Sequence, residues 1–176
     1  MKKPAIGEKD VGRVIHFEGT PERGLDPTGY ITIFSDASYC HKSKAAGFGG
    51  WIRLPGEQRA HITRGGFTAA DNNWAELEGI MKTLWFAMTK TAFDGVRVVV
   101  QCDCEWALKE FIDKHMEMLR DLNPKSIKVK HVKGHQKFNN PRYKVNNLCD
   151  EIAKQEMVKY RNKLKGYTDA GIFSGA

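Results

Sequence analysis

Four acidic residues in widely separated parts of the chain are the residues most able to do chemistry together. Asp36 follows a short β-branched and aromatic segment, and Asp103 follows a longer apolar one. Glu76 and Asp150 lie in segments of helical spacing, at the border of the apolar face. Carboxylates that meet repel each other and stay ionised only when a cation lies between them. If the four converge, they form an oxygen-rich site of the kind that Mg²⁺ prefers.

Three of these acids also have a simpler interpretation. Asp36 and Asp103 could cap the turn and the helix that follow them, and Glu76 could complement a helix dipole. The functional interpretation gains weight because the acids repeat at two adjacent strand ends and on two helices. Two Mg²⁺ ions in such a site can activate a water and stabilise the leaving oxygen of a phosphodiester.

The elements that would position these acids follow from the residue pattern. Strands are predicted at 30–35, 47–54, 59–67, 96–102 and 126–132, and helices at 72–90, 105–120 and 145–164. The strands at 30–35 and 96–102 are joined through a helix, which favours a parallel pair. Their carboxyl ends then lie side by side, which brings Asp36 and Asp103 close together. The strand at 126–132 alternates lysines with apolar residues, as an edge strand with one wet face does.

These elements predict an α/β fold with a mixed five-stranded sheet flanked by helices. The first three strands are antiparallel, and the fourth and fifth are parallel strands. Residues 1–29 are rich in Gly, Pro and charge, and we expect a flexible N-terminal extension there. The domain itself is expected at 30–164, followed by a loose C-terminal tail at 165–176.

Composition narrows the class of partner and the compartment. The chain of 176 residues carries 28 basic and 21 acidic side chains, a formal net charge of +7, which suits a polyanion. It has neither a membrane-length apolar run nor an apolar leader, and its four cysteines lack a CxxC pair. We therefore expect a location in the cytoplasm (the host cytoplasm if the protein is viral), with no membrane partner. We also expect a monomer.

Five motifs, in this order, resemble those of type 1 ribonuclease H: Ser35-Asp36-Ala37-Ser38, Asn72-Asn73-Trp74-Ala75-Glu76-Leu77, Cys102-Asp103-Cys104, Val132-Lys133-Gly134-His135 and Asn147-Leu148-Cys149-Asp150-Glu151-Ile152-Ala153. The resemblance covers about residues 30–160. It implies the ribonuclease H-like fold and hydrolysis of the RNA strand of RNA–DNA hybrids, leaving 3′-hydroxyl and 5′-phosphate ends. It also implies two Mg²⁺ ions, with Mn²⁺ as a substitute, and no small-molecule cofactor.

The resemblance assigns roles residue by residue. Asp36, Glu76, Asp103 and Asp150 would bind the metal, and His135 would assist proton transfer or product release. The nucleic-acid-binding candidates are Ser38, Asn72 and Asn73, with Lys42, Lys44, Lys133, Lys137, Arg142 and Lys144 as candidate phosphate contacts. The alternatives are a solvated loop histidine, helix-capping asparagines and an ordinary charged surface.

Departures from the family pattern bear on how a hybrid would be held. Asp71 stands where relatives often have a threonine that grips a DNA phosphate, and Glu105 replaces a common glutamine. The stretch between Asp103 and His135 is too short for the basic handle of some members. Residues 1–29 match no hybrid-binding module.

Two rival functions and one rival metal remain open. A junction resolvase or integrase could use the same fold, and a relative without activity could bind only nucleic acid or protein. Cys102, Cys104 and Cys149 with His135 could hold zinc. Since Cys102 and Cys104 are expected to point away from Asp103 on a strand, ordinary buried thiols are the favoured interpretation.

Overall fold

A computed structural model of the protein describes residues 14–16, 29–134 and 140–169. The elements in chain order are β1 (Val14–His16), β2 (Tyr30–Tyr39), β3 (Ala45–Arg53), β4 (His61–Thr68), α1 (Asn72–Met88), β5 (Arg97–Cys102), α2 (Glu105–Leu122), β6 (Ser126–His131) and α3 (Pro141–Asp169). No helix in these ranges is both long and apolar enough to cross a membrane.

The strands form one mixed sheet in the order β1-β6-β5-β2-β3-β4. β2, β3 and β4 are an antiparallel meander, and β5 is parallel to both β2 and β6. The predicted α/β fold with a mixed five-stranded sheet is therefore confirmed for β2 to β6. The crossover from β2 to β5 through α1 places the carboxyl ends of these two strands together, where ligand sites form in such sheets.

A sixth strand comes from the segment expected to be a flexible extension. Val14–His16 pairs antiparallel with β6, with Ile15 opposite Ile127. The prediction that residues 126–132 form the edge of the sheet is wrong, because β1 takes up the open side of β6. A β-branched segment can satisfy the unpaired backbone groups that an edge strand presents, whatever the composition around it. The predicted domain limits stay a prediction.

One face of the sheet packs on α1 and α2 to form the main core. Ile31, Ile33, Val98 and Val100 alternate toward this face and are at most 1% exposed. Their alternation follows from the two-residue period of a strand. The helix predicted at 72–90 is confirmed as α1, although not every apolar residue at its helical spacing is buried.

The two tryptophans of α1 lie outside its buried face. Trp74 and Trp85 are 38% and 47% exposed, whereas Leu77, Ile80 and Leu84 of the same helix are buried. Periodicity identifies the helix, but the width of the surface that the sheet offers decides which apolar residues are covered.

α3 lies on the opposite face, directly over glycines of β3. A Cβ added to Gly47 would lie 2.2 Å from the backbone N of Met157, and one added to Gly49 would lie 2.6 Å from the carbonyl O of Cys149. The absence of side chains at both positions lets the helix contact the strand backbone. α3 begins earlier and ends later than the predicted span of 145–164, so the expected loose tail starts within the helix.

Candidate active site

Asp36 was predicted to follow the end of its strand. It lies instead inside β2, opposite Gly49 of β3. The strand is longer than expected because β3 pairs with it as far as Tyr39, whereas the pairing of β2 with β5 stops at Phe34 and Gln101. Asp36 therefore still lies beyond the end of the parallel pair. Its side chain is 2% exposed.

The two carboxylate oxygens of Asp36 have different surroundings. Oδ1 accepts a hydrogen bond of 2.9 Å from the N–H of Ala37. Oδ2 is buried and accepts no hydrogen bond from a donor among the residues that the structure describes. A buried carboxylate oxygen without a donor is costly unless another group compensates it. This oxygen is therefore placed to bind a ligand.

Glu76 reaches the same point from the second turn of α1. Asp71 caps the helix by accepting a 2.8 Å hydrogen bond from the N–H of Trp74. Glu76 is buried as predicted, and its Oε2 accepts from the N–H of Ala37 at 3.2 Å. The Asp71 cap fixes the residue at which α1 begins. The helical period from that residue then places the Glu76 side chain toward Asp36.

Asp103 follows the last residue of β5, as predicted. Ligand atoms of Glu76, Cys102 and Asp103 lie within 4.8 Å of one another, which makes this the one such His, Cys and carboxylate grouping in the described ranges. The three cysteines of the alternative zinc site, Cys102, Cys104 and Cys149, do not form such a grouping there, and its fourth member, His135, lies outside the described residues. The Cys102 thiol, expected to point away, donates to Glu76 Oε2 over 3.8 Å. It does so because Glu76 enters from the α1 side, the side that Cys102 faces.

Asp150 approaches from α3 and is half-buried, whereas its neighbour Glu151 is exposed, as expected. Its Oδ2 forms an ion pair of 2.9 Å with Nζ of Lys154, one turn further along the helix. Asp150 is close enough that its charge contributes to raising the pKa of Asp36. The structure thus brings all four predicted acids together.

Burial and electrostatic repulsion together disfavour the ionised forms of these acids. Burial, and then the charges of Glu76, Asp103 and Asp150, raise the pKa of Asp36 to about 10. Burial, and then the charge of Asp103, raise the pKa of Glu76 to about 8. Protons therefore stabilise the cluster at neutral pH when no cation is bound. The oxygen donor set and the partnerless Oδ2 fit a divalent cation such as Mg²⁺ in place of those protons.

The loop that leads to His135 passes against the acids, although His135 and Lys137 themselves lie outside the described residues. A Cβ added to Gly134 would lie 2.9 Å from Oδ2 of Asp103. Glycine at this position lets the backbone approach the carboxylate closely. The residue pattern gives no signal for this contact.

The other nucleic-acid-binding candidates are dispersed. Ser38 is half-buried near the end of β2, and the exposed ones are Lys42, Lys44, Asn72, Asn73, Lys133 and Lys144. Asn73 lies beside the acids, since its Oδ1 is 3.8 Å from Sγ of Cys104. Lys42 and Lys44 lie in the turn between β2 and β3.

Arg142 has a structural contact that the sequence did not reveal. Its Nε donates to Oε1 of Gln101 at 2.8 Å, and its Nη2 donates to the carbonyl O of His131 at 3.2 Å. These bonds join the first turn of α3 to β5 and β6. Much of the guanidinium is thereby engaged within the protein.

Comparison with solved structures identifies the fold. The chain is similar to the N-terminal RNase H domain of a Mycobacterium tuberculosis protein, with 17% identity, a TM-score of 0.56, and coverage of 78% of this chain and 99% of that one. It is similar to LC11-RNase H1 in complex with an RNA/DNA hybrid, with 17% identity, a TM-score of 0.55, and coverage of 74% and 98%. It is also similar to RNase H1 from the halophilic archaeon Halobacterium salinarum, with 18% identity, a TM-score of 0.54, and coverage of 74% and 99%. No family model and no curated protein sequence matches the chain. The fold is therefore ribonuclease H-like, as the motifs predicted.

Proposed function

We propose that this protein is a metal-dependent endonuclease that hydrolyses the RNA strand of RNA–DNA hybrids, with two bound Mg²⁺ or Mn²⁺ ions. The products are a 3′-hydroxyl and a 5′-phosphate. The observation that carries the proposal is the buried Asp36 carboxylate, whose Oδ2 has no partner among the described residues while three further acids surround it. A site built to be stable without metal would pair or disperse such charges.

The chain's own residues prepare this site. Asp36, Glu76, Asp103 and Asp150 would hold the divalent ions, which supply water activation and stabilisation of the leaving oxygen when bound. The Ala37 N–H, at 3.2 Å, orients the Glu76 carboxylate, and Lys154, at 2.9 Å, orients that of Asp150.

Other residues would handle protons and the substrate. His135 would transfer a proton at the leaving oxygen or assist product release, since the loop before it runs beside Asp103. Ser38, Asn72 and Asn73 would contact the nucleic-acid backbone near the 2′-hydroxyl, the group that distinguishes RNA from DNA. Lys42, Lys44, Lys133, Lys137 and Lys144 would contribute phosphate contacts.

Specificity for a hybrid is supported by the fold and by one neighbour. LC11-RNase H1 shares the fold and was solved with an RNA/DNA hybrid. Here, Asn73 lies at the start of α1 within 3.8 Å of Cys104, next to Asp103, which is a suitable place for a backbone contact at the reacting strand.

The test is cleavage of a labelled RNA–DNA hybrid in Mg²⁺ by the wild type and by Asp36→Asn and Asp103→Asn. We expect losses of at least about 100-fold for both variants, because each removes one charge from the metal site. Asp113→Asn, an exposed position on α2, makes the same chemical change elsewhere and should cleave at the wild-type rate. If Asp36→Asn or Asp103→Asn cleaves as fast as the wild type, the assignment is wrong.

Substrate choice separates the proposal from its rivals. Hybrid, double-stranded RNA, single-stranded RNA, duplex DNA and a four-way junction are compared under the same conditions. Preferential cleavage of the junction would indicate a resolvase. Absence of cleavage together with absence of heat on Mg²⁺ titration would indicate a relative that only binds.

A further inference from the structure

The face of the sheet that carries α3 is only partly covered by that helix. β2 alternates Ile31 and Ile33 into the main core with Thr32 and Phe34 on the α3 side, as the two-residue period requires. α3 covers this side near Phe34, whose carbonyl O lies 4.0 Å from Sγ of Cys149. Toward the amino end of β2 the face stays open and forms a groove with a volume of about 620 Å³.

We call this the basic groove, and define it by its lining side chains Tyr30, Trp51, Arg53, Lys128, Lys130 and Arg142. The strand register places Arg53 and Lys128 of the basic groove on one line across the sheet. Arg53 is opposite Thr32, Thr32 is opposite Val99, and Val99 is opposite Lys128. Three strand spacings of about 4.8 Å separate the backbones of Arg53 and Lys128 by roughly 14 Å. Arg53 and Lys128 therefore lie on opposite sides of the open face.

The positive charge of the basic groove is not neutralised within the described part of the chain. None of its four cations forms an ion pair there. Glu57 is the one acid among the lining residues, and it bonds to His61 at 2.8 Å. Burial, and then the charges of Arg142 and Lys128, lower the pKa of Lys130. Like charges gathered without a counter-charge favour binding of a polyanion.

Aromatic rings in the basic groove add a second type of contact. Tyr30 is 44% exposed, and the guanidinium of Arg97 lies 5.8 Å from its ring centre. Trp51 lies at the base, edge-on to Phe34 at 5.5 Å, and Arg53 lies 5.8 Å from the Trp51 ring. Cations that track phosphates, combined with rings on which bases stack, are how proteins bind single strands. In a duplex the base faces are stacked inside the helix and cannot reach such rings.

We propose that the basic groove binds a single-stranded nucleic acid segment, with phosphates on Arg53, Lys128 and Lys130 and a base stacked on Tyr30. This site is separate from the carboxylates, because the first turns of α3 lie between the two. The proposal goes beyond hybrid cleavage and does not depend on it, since binding can be measured without metal and with DNA that is not hydrolysed.

The test is fluorescence anisotropy of a labelled oligothymidylate of about 12 nucleotides with the full chain, in chelator, over a range of salt concentrations. Lys128→Glu combined with Lys130→Glu should weaken binding at least tenfold. It should also reduce the slope of log K against log salt by about 1.4, at about 0.7 for each lost phosphate contact with a single strand. Thermal melting checks that the variant is folded.

A matched control changes the same charge elsewhere. Lys159 and Lys165 are exposed on α3 outside the basic groove, and their replacement by glutamate should leave both affinity and salt slope within about twofold of the wild type. Equal weakening by the two double variants would show that only net charge matters and would overturn the proposal.

The ring is tested separately from the charge. Tyr30→Ala should weaken binding about tenfold, whereas Tyr30→Phe, which keeps the stacking face, should bind as the wild type does. Equal affinity for all three proteins would exclude stacking at this position.

A competing occupant is the acidic stretch of this chain at residues 17–28, which leads to Gly29 at the border of the basic groove. Neutralising Glu18, Glu22 and Asp26 to their amides in the full chain should leave the affinity within about threefold. A gain of more than about tenfold would mean that this segment covers the basic groove in the wild type and competes with the nucleic acid, which would overturn the proposal of an open binding site.

Discussion

The unfolding free energy of the metal-free protein should fall as the pH rises through neutrality. The pKa of Asp36 is raised from 3.8 to about 10, and that of Glu76 from 4.5 to about 8. At a pH between the unfolded and folded pKa values of a group, the folded state binds more protons than the unfolded state. The free energy of unfolding is therefore highest at low pH and falls as the pH rises. Each group contributes a slope of up to about 1.4 kcal/mol per pH unit.

The size of this loss follows from the pH ranges over which Asp36 and Glu76 titrate in the two states. Both groups titrate in the unfolded chain below pH 5.5 and in the folded chain above pH 7.5. Over these two pH units the wild type should therefore lose about 2–5 kcal/mol of stability. Asp36→Asn cannot ionise, so its slope should be shallower by about 1 kcal/mol per pH unit. The variant should also be more stable than the wild type at pH 7.5, because the wild-type Asp36 carboxyl must take up a proton on folding at that pH and the amide need not.

Urea unfolding in chelator at pH 5.5, 6.5 and 7.5 measures the slope. Glu151→Gln removes an exposed carboxylate from α3, next to Asp150, and should keep the wild-type slope. Added Mg²⁺ should flatten the wild-type curve, since a cation replaces the protons. Identical slopes for the wild type and Asp36→Asn would refute the account of a mutually repelling, buried cluster.

Two further predictions concern the framework that holds the site. Gly47→Ala should destabilise the protein by about 3 kcal/mol or more in urea unfolding, because its Cβ would lie 2.2 Å from the backbone of Met157. Gly166 has open space around it, so Gly166→Ala should be neutral or stabilising by about 0.5–1 kcal/mol. Equal effects at the two glycines would contradict the close packing of α3 on β3. Asp71→Ala should cost about 1 kcal/mol by removing the 2.8 Å cap bond to the Trp74 N–H, and Asp71→Ser should restore most of it. If serine is no better than alanine, Asp71 does not act as a cap.

Residue pattern alone was sufficient for the main architecture. The run from Val96 to Cys102 predicted a buried strand, and a strand of this kind lies at the centre of the sheet as β5. The helical spacing from Trp74 to Met88 predicted α1, whose observed span is Asn72–Met88. These predictions succeed because burial of one face of a helix or strand imposes a hydrophobic period that is visible among neighbouring residues of the sequence.

Contacts between distant segments were not predictable in this way. The β-branched residues of Val14–His16 are compatible with local pairing, but they do not identify β6 as the partner, because strand pairing depends on which edge is open in three dimensions. Likewise, the thiol of Cys102 was assigned away from Asp103 from strand alternation, which was reasonable for one strand. The position of Glu76 on a separate helix placed the carboxylate on the thiol's side.

The sequence by itself determined which acids could form a site, because their positions at strand ends and on helix borders follow from local periodicity. Only the tertiary structure decided that Oδ2 of Asp36 is buried without a partner, that Gly134 brings the chain against Asp103, and that α3 leaves part of the sheet open. The physical reason is that burial and electrostatic repulsion depend on distances between elements, and these distances are set by packing and not by neighbours in the chain.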